Sequence, residues 1–256
     1  MMKSKLMSVV LTCVLLLAGS VTGAWSADVT VGGGLAVVPD YIGSDDYTAA
    51  PLPYFTMDWE NHMNVHLVGN RIKSNLIPHP ILKAGPVGEF IGKRDNVDNN
   101  RVDDMEDVDA SFMLGGFVGF EYEGWNGRIE YMADVADGND GTLGRMSLGW
   151  GTALGDSMRL NLEGYTTYGD DDFMSAYFGV SGRDSRRSGL KKYDADSGIY
   201  NYGLNLTHVW NFSGPWRLVS IAGVSRLVGD ADDDSPVVDE GSETQGVLGV
   251  MVTYRF

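Results

Sequence analysis

The sequence predicts an all-β fold, a transmembrane antiparallel β-barrel of about 12 strands that follows an N-terminal signal peptide. Three observations predict it. Apolar and polar side chains alternate along many short segments, aromatic residues cluster near the ends of those segments, and the last alternating segment ends in Phe256. Beyond residue 27 the sequence contains no apolar run of the roughly 20 residues that a membrane-spanning helix needs.

Residues 1–27 have the organisation of a secretory signal peptide. Lys3 and Lys5 precede an apolar run over residues 7–18, and small residues follow as far as Ala27. Several cleavage positions between residues 24 and 27 are consistent with this pattern. The alternative is a retained membrane anchor, which the short apolar run disfavours. We therefore expect a signal peptide over residues 1–27 and a barrel domain over residues 28–256.

Composition excludes two classes of function. The only cysteine of the chain, Cys13, lies inside the apolar run and would be removed with the signal peptide, so neither disulfides nor thiol chemistry are expected. The chain carries 35 acidic against 19 basic residues, with a formal net charge of −16 at pH 7. Loss of Lys3 and Lys5 makes the mature chain still more negative. A nucleic-acid partner needs a basic face and is not expected.

Alternation with a period of two indicates strands, because successive side chains leave a strand on opposite faces. Ile129, Tyr131 and Ala133, for example, alternate with Arg128 and Glu130. The predicted strands run near residues 28–38, 50–59, 62–75, 80–92, 108–122, 126–136, 142–154, 157–168, 173–182, 198–211, 216–229 and 244–256. Gly-, Pro- and Asn-containing turn sequences separate many of them.

Two architectures fit many alternating strands, a soluble β-sandwich and a membrane barrel. Aromatic residues near predicted strand ends favour the barrel, because such residues form girdles at the membrane interfaces. They are Tyr54, Phe55, Trp59, Phe120, Tyr122, Trp125, Trp150, Tyr165, Tyr168, Trp210, Phe212 and Trp216. The final strand has Leu248, Val250, Val252 and Tyr254 on one face and ends at Phe256. It resembles the C-terminal signal that the barrel-assembly machinery reads in outer-membrane barrels.

Charged side chains occupy the face opposite the apolar face of several strands. In a barrel this face would line the lumen. The candidate lumen charge network consists of Arg128, Glu130, Asp134, Arg145, Arg159 and Glu163. If these side chains pair fully, they fill the lumen. If they line opposite walls, they leave a narrow charged pore whose field selects solutes. We expect a largely filled lumen, although the sequence leaves both arrangements open.

An even strand count returns both termini to the periplasm. The long linkers 183–197 and 229–243 are then expected outside the cell, and the short turns 60–61 and 212–215 in the periplasm. On the same count the long, charged segment 93–107 faces the periplasm. Either the count is wrong by one hairpin, or this segment faces periplasmic partners. The candidate partner-facing residues are Arg94, Asp95, Arg101, Asp103 and Asp104.

No catalytic, cofactor or metal site is predicted. The four histidines, His62, His66, His79 and His208, are not accompanied by a GxSxG motif. The acidic stretch 230–234 offers oxygen ligands of the kind that Ca²⁺ prefers, but it lacks the regular spacing of a Ca²⁺ loop. We interpret it as a solvated acidic loop, and we expect the protein not to be an enzyme.

Several blocks of the sequence resemble one known family. PDYIGSDDY at 39–47, GPVGEFIGKRDNVD at 85–98 and GDADDDSPVV at 229–238 resemble blocks of the MltA-interacting protein/OmpV family, in the same order. The resemblance extends over essentially the whole mature chain. It implies an outer-membrane protein of a Gram-negative bacterium, in contact with outer-membrane lipid and lipopolysaccharide. The family has no established catalytic residues.

The resemblance implies two alternative functions. One member of the family is described as a scaffold that joins a murein hydrolase to a murein synthase, and such a scaffold is the first expectation for this chain. Other members are treated as routes for antibiotics. The second expectation is therefore a narrow passive channel for small, preferentially cationic solutes or antibiotics.

Overall fold

The computed structural model describes residues 27–232 and 235–256. All of the predicted signal peptide except Ala27 lies outside these residues, so its prediction is not tested by the structure. Within the described residues, no helix is long and apolar enough to span a membrane.

Twelve antiparallel strands close into a barrel, in which each strand pairs with the next along the chain and the last pairs with the first. The strands are β1 Ala27–Pro39, β2 Tyr47–Trp59, β3 Asn64–Val68, β4 Arg71–Asn75, β5 Leu82–Ile91, β6 Ser111–Tyr122, β7 Trp125–Asp134, β8 Thr142–Leu154, β9 Met158–Gly169, β10 Gly198–Ser213, β11 Trp216–Leu227 and β12 Thr244–Arg255. The predicted fold class and strand number are confirmed.

The loops carry four short α-helices and one 3₁₀ turn. These are α1 Asn100–Asp103, α2 Asp171–Phe178, α3 Gly182–Ser188, the 3₁₀ turn Gly229–Ala231 and α4 Pro236–Asp239. All of them lie at one end of the barrel, which we call the loop end. The opposite end holds the start of β1, the last residue Phe256 and the shorter turns, and we call it the terminus end.

The strand register puts apolar side chains outside and polar side chains inside across the middle of the wall. Ile129 lies opposite Val118 and Met146 on the outer face, while Glu130 lies opposite Arg145 on the inner face. Ile129 is 60% exposed, whereas Glu130 is 3% exposed. Exposed apolar side chains continue around the barrel, including Leu35, Leu148, Leu204, Val224, Leu248 and Val250. An apolar band of this extent needs contact with lipid.

Most of the aromatic residues expected at the membrane interfaces are exposed on the outer face, as Trp125, Trp150 and Trp216 show. Tyr54 and Tyr165 instead face the lumen. Tyr54 lies on the same side of β2 as the buried Thr56. Tyr165 lies opposite Gly203 of β10, where a side chain in place of the glycine hydrogen would collide with the tyrosine ring. The prediction of a girdle position for these two residues was wrong because they lie on the inward side of the alternation.

Two segments differ from the predicted strands. Residues 62–75 form two strands, β3 and β4, because the chain reverses at Gly69-Asn70, where Gly69 adopts a positive φ of 60°. Residues 173–182, predicted as a strand, begin inside helix α2. The buried residues Phe173, Met174, Tyr177 and Phe178 recur with helical spacing, and the side chain of Asp170 caps the helix by accepting a hydrogen bond from the Phe173 N–H.

These two errors cancel in the strand count. For the residues that lie between the two segments, however, they reverse the end of the barrel at which each loop was predicted. The chain leaves β5 at the loop end, so segment 93–107 lies at the end opposite to both chain termini. The prediction that this segment shares an end with the termini was wrong. The linkers 183–197 and 229–243 also lie at the loop end, and the turns 60–61 and 212–215 lie at the terminus end, as expected.

Candidate functional site

The loop end of the barrel is closed by a folded cap, which we define as residues 92–110, 170–197 and 228–243. Its centre is helix α2, whose Phe173, Met174 and Phe178 are completely buried. They pack against inward-facing residues of six strands, Val87, Met113, Phe117, Met132, Leu143, Tyr200 and Leu227. Because these six of the twelve strands surround half of the lumen, the cap is an apolar plug seated inside the mouth of the barrel.

A β-bulge supplies one of the residues that hold this plug. Alternation along β10 places Tyr200 on the same face as Tyr202, but the register with β9 shifts between Ile199 and Asn201. Tyr200 therefore points inward, where its ring centroid lies 5.2 Å from that of Phe173 and 5.6 Å from that of Phe178. Bulges redirect side chains in this way without ending the strand.

Segment 93–107 belongs to the cap. The Arg94 guanidinium is 5% exposed and donates to the backbone carbonyls of Tyr177 (3.2 Å) and Glu106 (3.4 Å). Arg101 pairs with Glu240, and Asp103 accepts a hydrogen bond from the Val97 N–H at 3.1 Å.

The two remaining candidate partner-facing residues also make local contacts. Asp95 pairs with Lys93, and the N–H of Asp104, which ends helix α1, donates to the Asn100 carbonyl at 3.1 Å. All five candidate residues thus lie at the loop end. The prediction that these residues lie at the same end as the chain termini was wrong. Strand β5 runs toward the loop end, and segment 93–107 follows it there.

Asp184 connects two segments of the cap. Its carboxylate accepts hydrogen bonds from the Ser181 hydroxyl at 2.6 Å and from the Glu106 N–H at 2.8 Å, and the residue is 6% exposed. Burial alone raises the pKa of this carboxyl, but these hydrogen bonds outweigh burial and hold the pKa below its usual value. The ionised form of Asp184 therefore stabilises the folded cap.

Side-chain hydrogen bonds also cross the seam where the first and last strands meet, at the loop end. The side chain of Gln245, on β12, accepts from the Gly43 N–H (3.2 Å) and donates to the Ser44 carbonyl (3.1 Å). Gly43 and Ser44 lie in the loop that joins β1 to β2. One buried amide thus connects the two ends of the sheet.

Below the plug, six charged side chains form the floor of the capped region. Arg145 binds Glu89 through two hydrogen bonds of 2.7 and 3.4 Å, and Arg71 bridges Glu89 and Glu130. Arg128 joins Glu130 (3.4 Å) to Glu163 (2.7 Å). We call this set of three arginines and three glutamates the charged floor.

The charged floor connects strands that are not neighbours. Arg71 and Glu89 belong to β4 and β5, Arg128 and Glu130 to β7, and Arg145 and Glu163 to β8 and β9. Within it, positive and negative charges balance, as burial in a low-dielectric interior requires. Glu130 is 3% exposed and contacts all three arginines, so it is the centre of the set.

Four of the six predicted network residues, Arg128, Glu130, Arg145 and Glu163, come together in the charged floor, and Asp134 and Arg159 do not. The Asp134 carboxylate instead accepts hydrogen bonds from the N–H groups of Gly138 (2.7 Å) and Asn139 (2.8 Å) in the β7–β8 turn. Arg159 lies near the terminus end of β9 and is exposed.

The sequence prediction missed two residues of the floor, Arg71 and Glu89. Arg71 immediately follows the Gly69-Asn70 turn and was assigned to the interior of one long strand. The sequence does indicate that Glu89 faces the lumen, because Glu89 alternates with Phe90 on β5 in the same way as Glu130 alternates with Ile129 and Tyr131. Only the barrel register shows that it can reach Arg145, three strands away.

A polar chamber lies between the charged floor and the terminus end. It includes an open cavity of about 490 Å³, and Glu121, Asn126, Arg128, Asn161 and Glu163 are among the residues that line this cavity. The amide of Asn126 donates to that of Asn161 at 3.1 Å. Lys73 and Lys83 line an adjoining part of the chamber. The lumen is therefore apolar and closed at the loop end, but polar and open at the terminus end.

The histidines do not form a recognisable catalytic arrangement. His66 bonds to Asp58 at 2.7 Å on the terminus side, and its ring makes no second hydrogen bond within the described residues. The ring of His79 accepts hydrogen bonds from the backbone N–H groups of Ile81 and Leu82. A general base would need a nucleophile within hydrogen-bonding distance.

The acidic stretch 230–234 is only partly described. Its Asp230 carboxylate accepts a hydrogen bond from the Asp196 N–H at 2.9 Å, and its carbonyl accepts one from the Tyr193 hydroxyl at 3.0 Å. Asp233 and Asp234 lie outside the described residues. No group of three or more metal-ligating side chains is present in the part of the chain that the structure covers.

Comparison with known proteins identifies relatives over most of the chain. The model of one family, described as MltA-interacting protein MipA, matches residues 31–256. The MltA-interacting protein of Escherichia coli K12 is 25% identical over 235 residues, which cover 89% of this chain and 90% of the relative. YiaT of the same organism, described as an outer membrane protein, is 31% identical over 157 residues, which cover 59% of this chain. The alignment with YiaT spans only 61% of that relative's own length.

Solved structures with a similar arrangement are outer-membrane barrels. An outer membrane channel from Pseudomonas putida F1 aligns over 90% of this chain and 95% of its own, with a TM-score of 0.47 and 11% sequence identity.

We expect Glu130→Gln to destabilise the barrel by about 3–5 kcal/mol, because it removes a buried carboxylate that three partly buried arginines share. Urea unfolding of the folded protein in detergent, followed by its gel mobility without heating, measures the loss. Lys192→Gln is the control, since the pair of Lys192 with Asp194 is exposed and should contribute less than about 1 kcal/mol. Equal stability of Glu130→Gln and the unmodified protein would contradict a structural role for the charged floor.

The cap should loosen in acid. Because the folded-state pKa of Asp184 lies below the ordinary value of 3.8, the stabilisation by its carboxylate is complete above that pH and is lost as the pH falls through the folded-state pKa. We expect amide hydrogen exchange of residues 181–188, corrected for intrinsic rates, to accelerate below about pH 4. Asp184→Asn should exchange about tenfold faster at pH 7 and respond less to acid. An identical acid response in both proteins would exclude Asp184 as the cause.

Proposed function

This chain belongs to the MltA-interacting protein MipA family and is an outer-membrane β-barrel, and from that premise we propose that it is a non-enzymatic scaffold for murein enzymes. In this proposal it tethers a murein hydrolase, and with it a murein synthase, to the outer membrane. The observation that carries the proposal is the asymmetry of the lumen, which is plugged at the loop end and open at the terminus end. The name of the E. coli relative supports a hydrolase of the MltA type as partner.

The terminus end is the end from which periplasmic partners would be reached. In outer-membrane barrels the short turns face the periplasm and the long loops face outside. Here β6 and β7 are joined at the terminus end by Glu123-Gly124, whereas β9 and β10 are joined at the loop end by residues 170–197. We therefore assign the terminus end to the periplasm, and the cap to the outer surface.

The longest connection at the terminus end is the β4–β5 loop, residues 76–81. Every residue of this loop is exposed, and Leu76, Ile77 and Ile81 contribute apolar surface. It also contains Pro78 and Pro80, which restrict the backbone. An exposed apolar loop beside a polar chamber has the composition of a protein contact, with an apolar centre and a polar surround.

One buried side chain holds this loop in place. The Asn75 amide donates to the carbonyls of His62 (2.7 Å) and Ile77 (3.0 Å), and its oxygen accepts from the N–H groups of Ile77 (3.2 Å) and Ala84 (3.0 Å). Asn75 is 2% exposed. A loop fixed before binding loses little conformational entropy when it binds, which favours affinity.

A passive channel is the second candidate, and one observation favours it. The chamber at the terminus end is polar and is lined by both acidic and basic side chains, which would interact with small charged solutes. Conduction would require the apolar plug around Phe173 and Phe178 to move, since both residues are completely buried in the mouth. The plug makes the scaffold the better supported of the two functions.

The scaffold proposal predicts that binding depends on the β4–β5 loop. In a pull-down of a purified MltA-type hydrolase by the protein in detergent, Ile77→Ser combined with Ile81→Ser should weaken binding at least about tenfold, because it removes the apolar centre of the contact. Lys192→Ser combined with Asp194→Ser, at the loop end, should leave binding unchanged. The loop would be excluded as the contact if both pairs of substitutions bound equally well while both proteins were folded.

The scaffold proposal also predicts a closed lumen. In planar lipid bilayers the purified protein should give no stable single-channel steps, because the plug is an apolar barrier to ions. An established porin, reconstituted in the same bilayers, provides the positive control. Stable steps, together with liposome swelling in solutions of cationic sugars, would favour the channel instead.

A further inference from the structure

Glycines on the inner faces of two strands leave room in the polar chamber at the terminus end. On β6, Gly119 lies opposite Lys83 of β5. On β8, Gly149 and Gly151 lie opposite two residues of β9 that line the open cavity. Because a glycine contributes no side chain, the lumen beside these positions stays unfilled. The chamber has two parts there, the open cavity of about 490 Å³ and a smaller recess of about 20 Å³.

The recess is basic. Lys73 of β4 and Lys83 of β5 line it. Lys83 pairs with Glu121 at 3.7 Å, whereas no carboxylate lies within 4 Å of the Lys73 ammonium among the described residues. The Lys73 Nζ instead lies 5.5 Å from the centroid of the Phe117 ring. A contact with a ring face leaves the N–H groups of an ammonium available as donors. Lys73 therefore offers the recess a positive charge that the protein does not pair.

The open cavity has the opposite charge. Glu121, Glu123 and Glu163 line it, together with one basic residue, Arg128. Arg128 is already engaged by two carboxylates of the charged floor. Glu123 lies in the β6–β7 turn, is exposed and forms no ion pair with any described residue. The cavity therefore favours a positive group, near Glu123.

The recess and the cavity adjoin each other, because Glu121, Asn126 and Arg128 line both. A volume of about 20 Å³ has room for roughly one water-sized group. Only the end of a ligand can therefore enter the recess, while the rest of the molecule stays in the cavity. The two parts together suit a molecule with a small negative end and a positive group a short distance away.

We propose that the chamber binds a short peptide that carries both a free carboxylate and a free ammonium group. The carboxylate enters the recess and accepts hydrogen bonds from the Lys73 ammonium, and the ammonium group of the peptide lies in the cavity near Glu123. The amides of Asn126 and Asn161 line the cavity and offer a peptide bond the donors and acceptors that it needs. A simple anion would use only the recess, and a simple cation only the cavity.

The source of such a peptide rests on the proposed function, which assigns the terminus end to the periplasm. Murein peptides and free peptides there share the required carboxylate and ammonium groups. Binding itself is measured in detergent, where both ends of the barrel are accessible, and without any hydrolase. The peptide site can therefore fail while the scaffold proposal holds, and the scaffold proposal can fail while the peptide site holds.

Isothermal titration calorimetry on the folded protein in detergent tests the proposal. The probes are trialanine, N-acetyl-trialanine, trialanine amide and a purified murein tetrapeptide. Acetylation removes the ammonium group and amidation removes the carboxylate, so we expect each to weaken binding at least about tenfold. Tighter binding of the murein tetrapeptide than of trialanine would identify murein as the source, and the reverse order would identify free peptides.

Two substitutions locate the charged groups of the ligand. Lys73→Gln should weaken binding of trialanine at least about tenfold but leave binding of trialanine amide unchanged, because the amide has no carboxylate for Lys73. Glu123→Gln should weaken binding of trialanine but not of its N-acetyl form. Arg159→Gln is the matched control, since Arg159 is a basic residue on the same side of β9 as Asn161 but lines neither part of the chamber.

Arg159→Gln should bind every probe as the unmodified protein does, and gel mobility without heating verifies that each variant is folded. Absence of binding for both trialanine and the murein tetrapeptide would overturn the proposal. Equal binding of trialanine and its amide would also overturn it, as would full binding of trialanine by folded Lys73→Gln.

Discussion

The requirement that every backbone hydrogen bond be satisfied without water determines most of this structure. In hydrocarbon an unpaired N–H or carbonyl costs several kcal/mol, so a sheet must close on itself. Pairing of β1 with β12 achieves this closure. Once the sheet is closed, alternation along each strand separates a lipid face from an enclosed face. The outer apolar band, the charged floor and the plug are consequences of that separation.

The enclosed face is organised in two layers that need different partners. Near the loop end most inward side chains are apolar, and the aromatic residues of α2 bury them, with one buried hydrogen bond from the Asn139 amide to the Tyr177 hydroxyl. Farther down, three arginines and three glutamates neutralise one another across five strands. Such a set is costly to desolvate and is not by itself a source of stability. In the folded barrel it connects strands that face one another across the lumen.

Local sequence pattern predicted the fold class, the strand number and the faces of most strands, because these depend on a two-residue period. It did not predict the ends of the barrel correctly between residues 75 and 182. The alternation of apolar and polar residues continues without a break through the Gly69-Asn70 turn, so the turn was not predicted. The apolar residues of α2 fit a strand pattern as well as a helical one, so the helix was predicted as a strand.

The charged floor was predictable only in part, for a related reason. Arg128, Glu130, Arg145 and Glu163 lie on three consecutive strands, so their proximity follows from pairing of neighbours. Contact of Glu89 with Arg145 depends instead on curvature and closure of the whole sheet, which no local pattern records. The sequence pattern did not predict the folded cap, because the charged segments that form it have the composition of solvated loops.

The hydrogen bonds of Gln245 across the seam have a consequence for the order of assembly. Gln245 belongs to the last strand of the chain, whereas its partners Gly43 and Ser44 follow the first. These bonds can form only after β12 has met β1, so a barrel whose seam is still open lacks this connection at the loop end.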